Sequence, residues 1–157
     1  VTIYQERDSS LLKKKTTKNG KFEMEQTLIK TMELSNGLKL DFYDTSRKLA
    51  GDRWYVGVIA RIDIPLIDSL LTNQHLSYYS VEEIRSELGE SVRFQQKKER
   101  HYIDEREKDD LLNGLIDSFI KSSLNYLSHP DFSAKYVLKE LQAYLKRQMW
   151  YKDNRRG

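Results

Sequence analysis

The chain has 157 residues and a mass of 18.6 kDa, enough for about two-thirds of its extended surface to be buried in one ordinary core without covalent staples. It contains no cysteine, which excludes a disulfide framework, a thiol nucleophile, a zinc ribbon and cysteine-held iron–sulfur clusters, and which fits a reducing cytoplasm. The net charge of +3 sits at the ends: residues 1–22 carry six Lys/Arg against two Asp/Glu and residues 135–157 carry seven against two, while the stretch between is acidic.

The first residues, Val1 to Lys15, lack the apolar segment of a secretory signal, and no apolar run approaches the roughly 20 residues that cross a bilayer, so no membrane partner is expected. Residues 1–21 read as a polar arm that includes Lys13, Lys14, Lys15 and Lys18. From Phe22 a partial period of two through Met24, Leu28, Met32 and Leu34 predicts a strand. Ser35, Asn36 and Gly37 then make a three-residue hairpin loop with glycine in the left-handed position. That loop sets Leu34 against Leu38, Met32 against Leu40 and Lys30 against Phe42, whereas a two-residue loop at Asn36 and Gly37 would set Glu33 against Leu40 and bury polar against apolar.

Asp44 to Asp52 reads as a connector. After it, Trp54, Val56, Val58, Ala60, Ile62 and Ile64 alternate with Tyr55, Gly57, Ile59, Arg61 and Asp63 in a long strand that stops at Pro65. Ile67, Leu70 and Leu71 are compatible with a short helix beginning at the proline. Ser80 and Glu83 form a capping-box pattern, Val81, Ile84 and Leu88 share a face, and Gly89 is placed to end that helix. Val92, Phe94 and Tyr102 predict an edge strand whose outer face is charged by Lys97, Lys98, Glu99 and Arg100.

Two helices finish the chain. One starts near Asp104, with Glu107 three residues on, and carries Leu111, Leu112, Leu115, Ile116, Phe119, Ile120, Leu124 and Leu127 on one stripe. The next starts at Ser128, where Asp131 completes a capping pattern and Pro130 suits a first turn. The order β-β-β-α-β-α-α predicts an α+β fold: an antiparallel sheet of about four strands with a short helix and two C-terminal helices packed on one face. A single domain over 1–157 is expected, ending in a basic tail over 151–157.

The densest collection of reactive groups lies in the 44–53 connector. Arg47, Lys48 and Arg53 are cations for a carboxylate or phosphate, Ser46 is a hydroxyl, and Asp44 and Asp52 are carboxylates that can pair with the cations instead. These six residues are the candidate ligand-binding set. The segment matches neither a P-loop nor a dinucleotide fingerprint, both of which need glycines opening a helix.

Asn36, Gly37, Leu38, Asp44, Ser46, Arg47, Lys48, Ala50, Gly51, Asp52, Arg53 and Trp54, with Lys97, Lys98, Glu99, Arg100 and the later Leu127, Ser128, His129, Pro130, Asp131 and Phe132, resemble a family of uncharacterised bacterial proteins. The likeness implies a domain of unknown function and brings no activity, cofactor or catalytic residue with it.

His75, His101 and His129 stand at no helical spacing from one another, and Asp104, Glu105, Glu107, Asp109 and Asp110 suit a helix start without a metal, so neither metal nor cofactor is expected. Lys146, Arg147, Lys152, Arg155 and Arg156, interleaved with Tyr144, Trp150 and Tyr151, form a candidate nucleic-acid surface in which aromatics stack bases and cations meet phosphates. A docked helix end with a basic tail explains the same residues. The sequence thus leads to a non-catalytic cytoplasmic interaction or regulatory domain with a protein partner. The alternatives are a nucleic-acid-associated protein and a small-anion binder or enzyme built on 44–53. The edge strand, with Tyr78 and Tyr79, permits a homodimer.

Overall fold

The structure, a computed structural model, describes residues 4–5 and 25–156. Phe22 and Met24 of the first expected strand, and most of the expected arm with its lysines, lie outside the described residues. The chain falls into two compact units, Val1–Ile62 with Phe94–Ser128, and Asp63–Arg93 with His129–Gly157.

The first unit is built on an antiparallel sheet of β1 (Tyr4–Gln5), β2 (Thr27–Glu33), β3 (Lys39–Asp44), β4 (Arg47–Ala50), β5 (Arg53–Pro65) and β6 (Ser91–Asp104). The last residues of β5 and the first of β6 belong to the second unit. The β2–β3 hairpin has the register that its apolar residues demand: Met32 pairs with Leu40 and Lys30 with Phe42. Leu34 N donates to Leu38 O at 2.8 Å, and Gly37 takes φ +87°, a conformation in which a Cβ is strained.

The 44–53 segment differs from the connector expected of it. β3 pairs with β5 through Asp44 and Val58, and β4 continues the same line through Arg47 and Tyr55. Between them Thr45 N donates to Gly57 O at 2.9 Å, and Gly57 N donates to Ser46 Oγ at 3.2 Å. Residues 39–50 are therefore nearly one strand beside β5, returning through a tight turn in which Gly51 has φ +57°. β4 escapes a reading by period because it holds two adjacent cations, and of its four residues only Leu49 is half-buried. β6 pairs with β5, on the edge left free by β3 and β4, and becomes the long, charged edge strand that its sequence predicts.

The even-numbered face of β5 carries Val56, Val58, Ala60 and Ile62, all buried. A long helix, Lys108–Leu127, covers this face, with Phe119 meeting Phe42 edge-on at 5.7 Å between centroids. The hairpin loop closes the end of that helix: Asn36 Nδ2 donates to Leu127 O at 2.8 Å and Ser35 Oγ to Ser128 O at 3.2 Å, satisfying carbonyls that the helix itself leaves unpaired. The helix starts at Lys108, four residues after Asp104. Asp104 remains in β6, and its Oδ1 accepts from Arg106 N at 2.9 Å in a turn that delays the helix.

The second unit contains α1 (Asp68–Leu71), a 3-10 turn (Gln74–Leu76), α2 (Val81–Leu88) and, after α3 (the Lys108–Leu127 helix of the first unit), α4 (Phe132–Asn154). Pro65 ends β5 and does not open α1, whose N-cap position is held by Ile67 without a side-chain hydrogen bond. The capping box of α2 is complete, with Glu83 N donating to Ser80 Oγ at 3.1 Å and Ser80 N to Glu83 Oε2 at 3.0 Å, and Gly89 ends the helix at φ +81°. α4 begins at Phe132, later than the expected Ser128, because Ser128 Oγ donates back to Leu124 O at 2.6 Å and closes α3. Leu71, Leu76, Ile84, Phe132, Val137 and Leu141 are buried at the centre of this unit. Among the described residues no helix is long and apolar enough to cross a membrane.

Candidate functional site

Two places concentrate chemistry, one in each unit. In the first, the strand pairing of 44–53 decides where its side chains go, because neighbours on a strand point to opposite faces. Arg47 lies opposite Tyr55 and stacks on its ring, 5.3 Å from the centroid. Lys48 lies opposite Trp54, on the other face. Arg53 reaches two carboxylates loosely, Asp52 at 3.7 Å and Asp104 at 3.9 Å. Asp44 Oδ1 accepts from Ser46 N at 2.8 Å, and Asp52 O accepts from Glu105 N at 2.9 Å, so both residues hold backbone. The structure therefore brings Arg47 to one face, Lys48 to the other and Arg53 to the turn.

What does converge on the Arg47 face is a group that the sequence reading did not assemble. Tyr55 is 2% exposed, and its hydroxyl donates to Glu99 Oε2 at 2.6 Å. Lys97 Nζ lies 3.1 Å from the same oxygen and 5.5 Å from the Tyr55 ring centroid, so two cations flank one phenol. His101 packs against that ring at 5.1 Å between centroids. The Tyr55 hydrogen bond first, and Lys97 second, hold the Glu99 carboxyl below its ordinary value. The bond to Tyr55, then the one to Glu99, raises the Lys97 ammonium above its own. The period of two that puts residues 97, 99 and 101 on one side of β6 is the signal that could have found the group, given the β5–β6 pairing. Beneath it, Thr45 is 2% exposed and its Oγ1 has no hydrogen-bond partner among the described residues. A Cβ on Gly57 would lie 2.4 Å from that oxygen and 2.7 Å from the Tyr55 hydroxyl, so the space is filled. The arrangement ties Tyr55 of β5 to Glu99 of β6 and lays Arg47 of β4 over the same ring.

In the second unit, His75 Nε2 and His129 Nδ1 approach one carboxylate, Asp131, at 3.7 and 4.0 Å. Among the described residues no set of three ligands is placed to hold a metal. The other concentration is the end of α4. Lys146, Arg147, Lys152, Arg155 and Arg156 are all exposed, and none meets a carboxylate among the described residues. Trp150 and Tyr151 are each 61% exposed and meet only edge-on, at 5.2 Å.

Residues three and four apart share a helix face, so Lys146, Arg147, Trp150, Tyr151 and Arg155 form one side of α4. Leu145, Met149 and Lys152 form another, and Arg156 follows the helix end. The docked helix end, which explains the aromatics equally well from sequence, requires them to be covered: Tyr144 is half-buried, but Trp150 and Tyr151 are not covered. No family model matches this chain, and neither does any curated protein or solved structure.

Proposed function

We propose that this chain is a non-catalytic interaction domain of the bacterial cytoplasm, and that it binds single-stranded nucleic acid through the outer side of the α4 end. The observation that supports this most is the exposure of Trp150 and Tyr151 among five cations that have no carboxylate partner among the described residues. Leaving an indole and a phenol in water forgoes burial of a large apolar surface. Aromatic faces beside cations recover it by stacking bases while Lys and Arg take the phosphates, a mode that tolerates any sequence. The cytoplasmic location rests on the lack of cysteine, and the bacterial origin on the resemblance drawn from residues 36–54 and 97–132. Arg47, Lys48 and Arg53 point apart, which counts against small-anion binding by their hairpin.

Fluorescence anisotropy of a labelled oligothymidylate at low salt tests the reading. Binding is expected, and the Trp150→Ala/Tyr151→Ala variant is expected to weaken it about tenfold or more, as the loss of base stacking implies. The thermal midpoint of that variant stays where it was, because the two rings contact little of their own unit. Absence of binding, or a variant that binds as the parent does, defeats the proposal.

A second reading is supported by β6, whose 14 residues have no strand on the outer edge among those described. A protein partner adding a strand there would use main-chain hydrogen bonds along that edge.

A further inference from the structure

We infer that the protein forms a two-fold dimer through α4, in which Met149 of each copy covers Leu145 of the other and Lys152 of each reaches Glu87 of the other. This goes beyond the nucleic-acid reading and uses a different side of the helix, so the two can fail separately.

Leu141, Leu145 and Met149 are each four residues apart and form one stripe along α4. Cover runs out along that stripe: Leu141 is 1% exposed, Leu145 is half-buried and Met149 is 67% exposed. The cover is α2 with the segment before it, and where it stops it leaves a groove of about 440 Å³ lined by Tyr78, Tyr79, Glu83, Glu87, Leu141 and Leu145. The groove wall thus offers two carboxylates and no cation. Glu83 is committed in part to the capping box, while Glu87 has no partner among the described residues.

Beyond Met149 the same stripe continues as Lys152, two residues before the helix ends at Asn154. Within one copy this cation cannot return to the groove, because Lys152 lies about 16 Å along the helix axis from Leu141 at 1.5 Å per residue. A second α4 laid antiparallel, with the two-fold axis passing near residue 147, removes the mismatch. Leu145 then faces Met149, and Lys152 faces residue 142 at the groove, beside Glu87. Each copy supplies both halves of the contact, so the interface closes on itself without forming a filament. Charge complementarity and an apolar stripe that outruns its cover both select a second copy as the occupant. Trp150 and Tyr151 remain on the outer side.

Sedimentation equilibrium of the full chain over a wide concentration range, with light scattering as a second measure, tests this. The mass is expected to approach twice 18.6 kDa. Met149→Glu raises the dimer dissociation constant about tenfold or more, the effect of exposing a buried methionine contact. It leaves circular dichroism unchanged, and the thermal midpoint unchanged at concentrations where both proteins are monomeric, since Met149 is exposed in the single copy. Lys152→Glu and Glu87→Lys each weaken the dimer, and together they restore it. A monomer at every concentration, a mass that climbs past the dimer, an unaffected Met149→Glu dimer, or charge reversals whose losses simply add would each overturn the inference. Because Trp150→Ala/Tyr151→Ala leaves this mass unchanged while weakening oligonucleotide binding, a failure of either reading is visible by itself.

Discussion

Gly57 is the point on β5 where a side chain has nowhere to go. An added Cβ meets Thr45 Oγ1 at 2.4 Å and the Tyr55 ring and hydroxyl at 2.8 and 2.7 Å, and Thr45 is fixed by its backbone bond to Gly57 itself. Gly57→Ala is therefore expected to destabilise the protein by about 1–3 kcal/mol, the usual cost of overpacking, read as a lower denaturant midpoint. A parental midpoint would mean that Thr45 and Tyr55 move aside freely.

Above Gly57, the Glu99 carboxyl titrates below its ordinary value because it accepts from Tyr55 and lies beside Lys97. A depressed folded-state pKa gives stability that is present above the unfolded value, about 4.3, and is lost as pH falls through the folded value. Lys97 has the opposite sign, since its raised pKa gives stability that is present below the unfolded value and is lost as pH rises through the folded one. Denaturation of Glu99→Gln alongside the parent is expected to show a deficit at neutral pH that shrinks below pH 4 or so. A deficit equal at both pH values would assign Glu99 a packing role only. None of this was legible from residues taken singly: the sequence marks Lys97 and Glu99 as charges on an edge strand, and only pairing with β5 turns them toward Tyr55.

At the scale of elements, the best-read features are those in which a local rule and a long-range one agree. The Ser35–Gly37 loop was legible because glycine chemistry and the apolar register of Met32 with Leu40 select the same turn, and α2 because its cap, apolar face and terminal glycine coincide. The helix starts at 104 and 128 were misread for a common reason: Asp104 and Ser128 do bond nearby backbone, but they serve a turn and the preceding helix. Capping residues are recognised by type, and type does not say which orphan group they serve. β4 was missed because its four residues have no alternation, and pairing to β5 overrides its polar composition. Two substitutions check the features that survived. Ser80→Ala is expected to cost about 1 kcal/mol through the lost cap. Asn36→Ala is expected to cost about 1 kcal/mol by freeing Leu127 O, and both are measured by urea denaturation. If Asn36→Ala were neutral, the loop would not be what closes α3.

For the whole molecule, the uneven charge seen in composition becomes a countable quantity. Each phosphate neutralised on a single strand contributes about −0.7 to the slope of log affinity against log salt. If all five cations of the α4 end meet phosphates the slope is about −3.5, and if all but Lys152 do so it is about −2.8. The two-fold arrangement assigns Lys152 to the other copy, so a short oligonucleotide titrated against the dimer is expected to give the shallower slope. Met149→Glu, by separating the copies, is expected to release Lys152 and steepen it. The same slope for parent and variant would mean that Lys152 faces the nucleic acid throughout, and a slope near zero would mean that stacking on Trp150 and Tyr151, without phosphate contact, is all the helix end provides. Sequence composition places the charge at the chain's end, but only the exposure along α4 separates the side that carries the aromatics from the side that carries Met149, and the salt dependence measures that division directly.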